Sequence, residues 1–293
     1  MMMNEMRYAI ITNPASGNMT ADMKLSILAE AAAILDSEIY GLDTDTAEDL
    51  SLCAQQLINN CDVLVIAGGD GSLSDIINAI DTARVPVAYL PLGTANAMRY
   101  ALNYKGNLAD ISMRIKEGGI HRYDLIDCDG KKRAFMTSVG IEGTVAQLRN
   151  QYIDRGATGI KTYIKSVIHA YFKTYKRAAA TITVDGTNFE VKNLLSLMVV
   201  KQPYYGFGLN VMPEARFDDQ QLHIRWVNSG LFKCMVGAAT SLTIGNRTGH
   251  YCPGRRVAIE LEHPLFNQID GNEGWRDDSF TFTVLPNALK IKF

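Results

Sequence analysis

The stretch VLVIAGGDGSLSDIINAI, Val63 to Ile80, constrains this chain more than any other. The apolar run Val63–Ala67 suits a strand buried on both faces, and Leu73–Ile80 suits a helix. Between them stand Gly68, Gly69, Asp70 and Gly71. A strand that turns through glycines directly into a helix is the repeating unit of a parallel sheet covered by helices. The flanking sequence agrees. RYAIIT (Arg7–Thr12) precedes a helical stretch of about Ala21–Leu35, and a short strand near Ile39 precedes a helix of about Ala47–Ile58. VPVAYL (Val85–Leu90) then leads through Pro91 to a short helix, Met98–Leu102. A three-layer α/β domain is expected over residues 1–120.

Beyond His121 the pattern changes. Asp129-Gly130 and Asp185-Gly186 sit between strand-like runs and read as hairpin turns, because glycine tolerates the positive φ such turns need. LLSLMVV (Leu194–Val200), LHIRWV (Leu222–Val227), VAIELE (Val257–Glu262), FTFTV (Phe280–Val284) and LKIKF (Leu289–Phe293) add short strands. Helices are expected near Gly159–Arg177 and Leu231–Leu242. Residues 121–293 therefore read as a mainly antiparallel β-sandwich domain with helices, its last residues free to return to the first domain. Two domains suit 293 residues at roughly 100–200 residues each.

The charge balance, Lys+Arg 29 against Asp+Glu 31, argues against a nucleic-acid protein that relies on a broadly basic surface. Five cysteines, odd in number and without a CxxC pair, fit a reducing compartment rather than a disulfide framework or a zinc site. Met1–Met6 runs into the first strand without a signal-peptide layout, and no stretch reaches the roughly 18 apolar residues a spanning helix needs. A cytoplasmic protein is expected.

Backbone N–H groups at a helix start point outward unpaired, and glycines let a phosphate approach them. That reading of Gly68–Gly71 is preferred to a turn that merely needs glycine. Asp70 would repel a bare phosphate, so its presence suits a bridging magnesium or a hydroxyl nucleophile. The loop matches neither GxxxxGK[ST] nor GxGxxG. The first strand ends in NPASGN (Asn13–Asn18), and PLGTANAMR (Pro91–Arg99) follows another strand with Gly93, Thr94 and Asn96. In an open parallel sheet, such loops at the carboxyl ends of neighbouring strands line one crevice.

In order, spacing and strand context the three loops resemble the diacylglycerol kinase catalytic-domain family, which includes bacterial lipid kinases and the sphingosine and ceramide kinases. YYGFGLNVMPEARFDDQQL (Tyr204–Leu222) resembles that family's glycine-rich turn, its P-x-A and its D-D-G-x-L segment. IDGNE (Ile269–Glu273) resembles its late DGE motif. The resemblance implies an NAD-kinase-like α/β domain followed by a β-rich lipid-facing domain, with catalysis in the cleft between them. It implies transfer of the γ-phosphate of ATP, with Mg2+, to the hydroxyl of a lipid such as diacylglycerol. Asn13, Ser16 and Gly17 would then line the nucleotide. Gly68, Gly69, Asp70, Gly71 and Ser72 would hold the phosphates and the catalytic magnesium, with Thr94 and Asn96 also at the nucleotide. Asp219, with the backbone carbonyls of Arg216 and Gln221, would bind a structural magnesium. Glu273, ahead of Asp270, would take the proton from the acceptor hydroxyl.

The chain departs from the family pattern at several positions. Ser72 replaces a threonine, and Ala97 stands where the family has an aspartate. Gly41 sits where a nucleotide-binding threonine is usual, with Thr44 or Thr46 as substitutes. Gln220 replaces the glycine of D-D-G-x-L, which predicts a different backbone conformation for the metal loop. Asn272 falls at the family's glutamate, and Glu273 comes one residue late. Separately, GIKTYIKSVIHAYFKTYKR (Gly159–Arg177) carries Ile164, Val167, Ile168, Tyr171 and Phe172 on one helical face and Lys161, Lys165, Lys173 and Lys176 on another. A basic amphipathic helix of this kind suits either an anionic bilayer or an ordinary core-packed helix. The partners expected are ATP and a lipid reached by peripheral membrane association, without nucleic acid, and a homodimer is left open. Two alternatives stand beside the lipid kinase: an NAD-kinase-like enzyme, and a nucleotide-binding module that has lost phosphoryl transfer.

Overall fold

Strand β1, Tyr8–Thr12, is buried at all five positions. Helix α1 (Ala21–Leu35) opens where the Thr20 hydroxyl accepts from Met23 N–H and stops at Asp36, whose φ of 47° is left-handed. Strand β2 (Ile39–Tyr40) and helix α2 (Ala47–Leu57) follow, α2 starting in a reciprocal Thr46–Asp49 capping box. Then come β3 (Val63–Gly68), α3 (Asp70–Ala79), β4 (Val87–Pro91), the short α4 (Ala97–Ala101) and α5 (Leu108–Glu117). A reciprocal Asn107–Asp110 capping box starts α5, a helix not among those expected from the sequence. These elements come from a computed structural model that describes residues 6–14, 17, 19–157 and 159–293.

The chain divides into two compact units. The first comprises Met1–Asp124, Tyr204–Gly208 and Pro286–Phe293. Its strands run parallel in the order β2-β1-β3-β4, with Thr12 opposite Ala67 and Gly68 opposite Pro91. Beyond β4 the sheet continues with the end of the last strand, Ile291 beside Val87. Because β1 lies between β2 and β3, the chain leaves β1 towards one edge and then returns to its other side. That reversal is the topological switch at which the carboxyl-end loops diverge.

The second unit comprises Leu125–Pro203 and Leu209–Leu285. Strand β5 (Ile120–Cys128) enters it and pairs with β6 (Lys132–Ala134), and β7 (Met136–Gly140) leads into α6 (Ile141–Ile153). Helix α7 (Gly159–His169) ends in a π-helical turn, Ala170–Thr174. Strands β8 (Ala178–Val184), β9 (Thr187–Leu194), β10 (Ser196–Val200) and β11 (Leu222–Val227) precede α8 (Leu231–Ser241). Strands β12 (His250–Gly254), β13 (Arg256–Ile269) and β14 (Asn272–Lys292) complete the chain. The strands expected at Phe280–Val284 and Leu289–Phe293 are thus one long strand. The pairing is antiparallel throughout β12-β11-β10-β7-β13-β14, with β8 on β13 and β9 on β8. All three Asp-Gly turns place both residues at positive φ, at Asp129-Gly130, Asp185-Gly186 and Asp270-Gly271. The second and third are two-residue turns whose twist matches antiparallel strands, while the first spans residues 129–131 between the paired Cys128 and Lys132. Val139, Leu197, Ile224, Val257, Ile259 and the alternating Phe280 and Phe282 fill the core between the strands.

Helix α6 crosses β13 at Gly143, where a Cβ would lie 2.2 Å from the Phe266 carbonyl oxygen. This close approach carries the neighbouring Glu142 into the interior, where its Oε1 accepts from Ser196 Oγ at 2.5 Å. Burial pushes the Glu142 carboxyl up to about 7 from its ordinary 4.5. Between those values the folded unit keeps a proton that the unfolded chain has released, so stability falls as the pH rises. Both tryptophans, Trp226 and Trp275, lie in this unit and report its unfolding. Urea unfolding followed by their fluorescence is expected to lose about 2–3 kcal/mol between roughly pH 4.5 and 7.5, and Glu142→Gln is expected to flatten that dependence.

Candidate active site

Three loops leave the carboxyl ends of the adjacent strands β1, β3 and β4 within the first unit. The Gly68 carbonyl accepts from both Leu92 and Gly93 N–H, at 2.9 and 3.2 Å, which ties the second loop to the third. A Cβ on Gly93 would lie 2.5 Å from the Gly69 Cα, so the two backbones meet without a side chain between them. A Cβ on Gly68 would strike Ser72 at 2.8 Å, because α3 folds straight back over the strand end. At the start of α3, Gly69 supplies no side-chain cap, and the first turn, with Gly71 and the buried Ser72, presents backbone N–H groups. Such a helix start offers the kind of backbone donors that an anion takes.

Asp70 joins the loops. Its two carboxylate oxygens accept from Ala97 N–H at 2.8 Å and Met98 N–H at 3.1 Å, so it caps α4 from another element. Ala97, standing where the family has an aspartate, contributes its backbone to Asp70 rather than a second acid. Burial raises the Asp70 carboxyl, while the N–H groups of Ala97 and Met98 pull it back. Each oxygen accepts a backbone N–H of α4, and carboxylate oxygens are the hard donors a magnesium ion takes. Asn96 holds the third loop from within: its φ is 45°, its Nδ2 donates to the Gly93 carbonyl, and its Oδ1 accepts from the buried Tyr89 hydroxyl at 3.0 Å. Thr94 stands exposed at the loop tip. Behind it, Phe207 N–H donates to the Ala95 carbonyl at 2.9 Å, and a Cβ on Gly206 would touch the Ala95 Cβ.

The first loop is held by Lys24, which stands outside every loop motif. Lys24 is 1 % exposed, and its Nζ donates to the carbonyls of Asn13 and Pro14. Its burial lowers its pKa. Lys24 shares one helical face with Leu28, Ala31 and Leu35, so a cation in an otherwise apolar stripe was the available signal. Gly17 is exposed with φ 72°, while Ser16 lies outside the described residues. Gly41 has φ 84° and packs against the Thr12 carbonyl, where a Cβ would come within 2.8 Å, so a threonine there requires the backbone to move. Thr44 donates to the Gly41 carbonyl and Thr46 caps α2, so both candidate hydroxyls have structural partners.

In the second unit, the DGNE segment is the β13–β14 hairpin, with Asp270 and Gly271 in the turn and Asn272 opposite Ile269. Asp270 Oδ1 accepts from Phe135 and Met136 N–H at 3.0 and 2.9 Å, which fastens the turn to β7. Asn272 and Glu273 are successive strand residues and therefore project to opposite faces. Glu273 Oε2 accepts from Asn150 Nδ2 of α6 at 3.1 Å, so a glutamate at 272 and one at 273 address different faces.

Asp219 and Gln221 do come together, but around an ammonium, while Arg216 is tied to the group only through its N–H at His223. Lys201 Nζ lies 2.7 Å from Asp219 Oδ1 and 2.6 Å from the Gln221 carbonyl oxygen, with its side chain fully buried. The other Asp219 oxygen is 2.9 Å from His223 Nε2, which Arg216 N–H also approaches at 3.1 Å, while His223 Nδ1 meets the Tyr251 hydroxyl. Burial raises the Asp219 carboxyl, but the Lys201 ammonium and the Gln221 N–H outweigh it and hold the group below its ordinary value. Gln220 adopts φ 58°, so it keeps the left-handed conformation of the glycine it replaces instead of a new one, at a cost of about 1–2 kcal/mol. A divalent ion about 2.1 Å from the two oxygens that Lys201 holds would sit within about 5 Å of Nζ. There a charge of two and a charge of one repel by roughly 7 kcal/mol even at an effective dielectric of 20. The residues present fit an ammonium and do not fit a divalent ion beside it.

Removing the Lys24 ammonium strips two interior carbonyls of their charge-assisted donor. Lys24→Met is expected to lower local stability by about 1–3 kcal/mol, read as faster hydrogen exchange of the β1 amides.

Among the described residues no helix is long and apolar enough to cross a membrane. The description "diacylglycerol kinase catalytic domain" matches residues 7–128, and "YegS C-terminal NAD kinase beta sandwich-like domain" matches residues 136–293. A diacylglycerol kinase of Staphylococcus saprophyticus is 24% identical over 285 residues, which is 92% of this chain and 89% of that protein. One from Staphylococcus aureus is 23% identical over 286 residues, 92% and 86% of the two chains. Among solved structures, a diacylglycerol kinase from Bacillus anthracis has a TM-score of 0.75 at 18% identity, over 98% of this chain and 96% of the other. An NAD kinase from Archaeoglobus fulgidus in complex with ATP has 0.51 at 12% identity, over 98% and 93%. The NAD-kinase-like α/β fold followed by a β-sandwich-like domain is borne out. Matched by family models across both units, the chain belongs to the diacylglycerol kinase catalytic-domain family.

Proposed function

We propose that this kinase-family protein transfers the γ-phosphate of ATP to the hydroxyl of a lipid such as diacylglycerol. The observation that carries the reading is the loop cluster of the first unit, where an uncapped helix start and an acid fastened beside it stand at adjacent strand ends. The first-turn N–H groups of α3 bind phosphate oxygens, and Lys24 keeps the Asn13–Pro14 backbone in place. Asp70 is the residue to hold magnesium, which when bound neutralises charge on the phosphates. The acceptor hydroxyl oxygen bonds to the γ-phosphorus, the bond from that phosphorus to the β–γ bridging oxygen breaks, and ADP leaves. Glu273 takes the hydroxyl proton in this reading, because the Asp270 carboxylate already serves two backbone N–H groups while Glu273 has one amide donor.

Lipid access is supported by α7. Thr162, Ser166 and Ala170 face inward, while Ile164, Ile168 and Phe172 are exposed beside Lys161, Lys165 and Lys173. An exposed face of mixed apolar and basic residues suits an anionic bilayer surface, where each cation contributes about 1 kcal/mol. The position of Asn272 favours a second reading, a nucleotide-binding module without transfer.

Labelled ATP with Mg2+ and a panel of lipids in mixed micelles, with NAD as the soluble control, separates these readings. Label in a chloroform-soluble product is expected. Label in NAD alone would sink the lipid reading, and ATP binding without transfer would favour the module. Asp70→Asn puts an amide where a carboxylate faced two N–H donors, and turnover is expected to fall by roughly 10²–10³-fold. Glu273→Gln is expected to cost about 10²–10⁴-fold, and near-unchanged turnover would remove Glu273 from the mechanism.

A further inference from the structure

The loop from Gln202 to Gln221 leaves the second unit after Pro203 and re-enters it at Leu209. Within that unit the return is stitched at Pro203, whose carbonyl accepts from Val211 and Met212 N–H at 2.9 and 3.1 Å. The last stitch is ionic. Lys201 directly follows β10, its N–H donates to the Phe135 carbonyl at 2.9 Å, and its side chain runs inward to Asp219 and to the Gln221 carbonyl. The Asp219 carboxylate is a quarter exposed and the Lys201 ammonium not at all, so the cation is the buried partner. One carboxylate oxygen and one backbone carbonyl are hard oxygen donors of the kind a metal loop uses.

We propose that Lys201 is this loop's built-in cation: its ammonium occupies the position that a structural divalent ion takes in a loop of this pattern, so the second unit folds without metal. The neighbouring groups agree. Val200 pairs with His223 and Met198 with Arg225 across β10 and β11, and the buried Arg225 is neutralised by Glu214 at 2.8 Å. Asp219 is thus the acid that balances Lys201, as Glu214 balances Arg225. Gln220 keeps its left-handed turn, so the loop backbone retains the shape the donor set needs while the charge comes from the chain. The inference concerns the folding of the second unit and does not depend on which acceptor is phosphorylated.

The test uses the full chain without nucleotide, with urea unfolding read by the fluorescence of Trp226 and Trp275. The wild-type midpoint is expected to be the same in EDTA and in millimolar Mg2+. Lys201→Ala removes the ammonium and leaves the oxygens, so its midpoint is expected to fall in EDTA and to recover in Mg2+. One Mg2+ is expected to bind per chain in titration calorimetry, with a Kd of order 0.1–1 mM. Adding Asp219→Asn to that variant is expected to abolish both recovery and binding. A wild-type midpoint that rises with Mg2+ and loses the rise on Asp219→Asn would overturn the proposal, because metal and lysine would then share the loop. So would a Lys201→Ala protein whose midpoint ignores Mg2+. If Lys201→Ala yields no folded protein in EDTA, expression and refolding in Mg2+ give the same decision: recovery upholds the proposal and failure rejects it.

Discussion

The meeting of Gly69 and Gly93 is the constraint on which the first unit's loop cluster depends. Two backbones pass where a single methyl group would lie 2.5 Å from the opposite Cα. That approach lets one carbonyl, Gly68, accept from both Leu92 and Gly93, and it brings Asp70 within reach of the start of α4. Parallel strands in register deliver the loops to one edge, and the glycines close the gap between them. An acid placed by such packing is aimed by backbone geometry rather than by its own rotamer, which suits a chemistry that asks mainly for position and charge.

A second theme is the use of buried cations as backbone ligands. Lys24 holds two carbonyls of the first loop, Lys201 holds Gln221, Arg225 holds Asn246, and Lys292 holds Gly118. A carbonyl in the interior without a donor costs more than a long side chain's lost freedom, so a flexible ammonium that can reach it is a stabilising solution. The consequence differs with the counter-charge. Lys201 and Arg225 have acids facing them, and Lys24 and Lys292 are lowered by burial, so these four side chains are not electrostatically equivalent.

The fold class was legible because its signals are local and repeated. Val63–Gly68 carries buried apolar residues at every position, as a strand covered on both faces must, and the Asp-Gly turns declare hairpins by φ alone. Helices α5 and α6 lack a clear sequence signal for different reasons. The start of α5 rests on an Asn–Asp capping box in a polar stretch, while α6 follows β7 directly at Gly140 with no connecting loop. Within the candidate site, glycine positions could be read from spacing, but the partners of charged groups could not. Nothing in the sequence ties Lys201 to Asp219, 18 residues on, or Asn150 to Glu273, 123 residues on. Nor does spacing reveal that residues 272 and 273 address opposite faces until the turn is known to hold two residues. Gln220 shows the reverse error, since a side chain other than glycine does not by itself change a backbone.

The first unit is assembled from three separated stretches of chain, and this sets a timetable for biosynthesis. Val87 of β4 has Ile291 as a neighbour, 204 residues later. At about 5–20 residues per second a ribosome needs roughly 10–40 s to bridge that interval. Throughout it, β4 presents an unpaired apolar edge, the kind of surface that recruits other strands. The first unit is encoded first and completed last, so nascent chains are expected to need shielding at β4 until synthesis reaches residue 291.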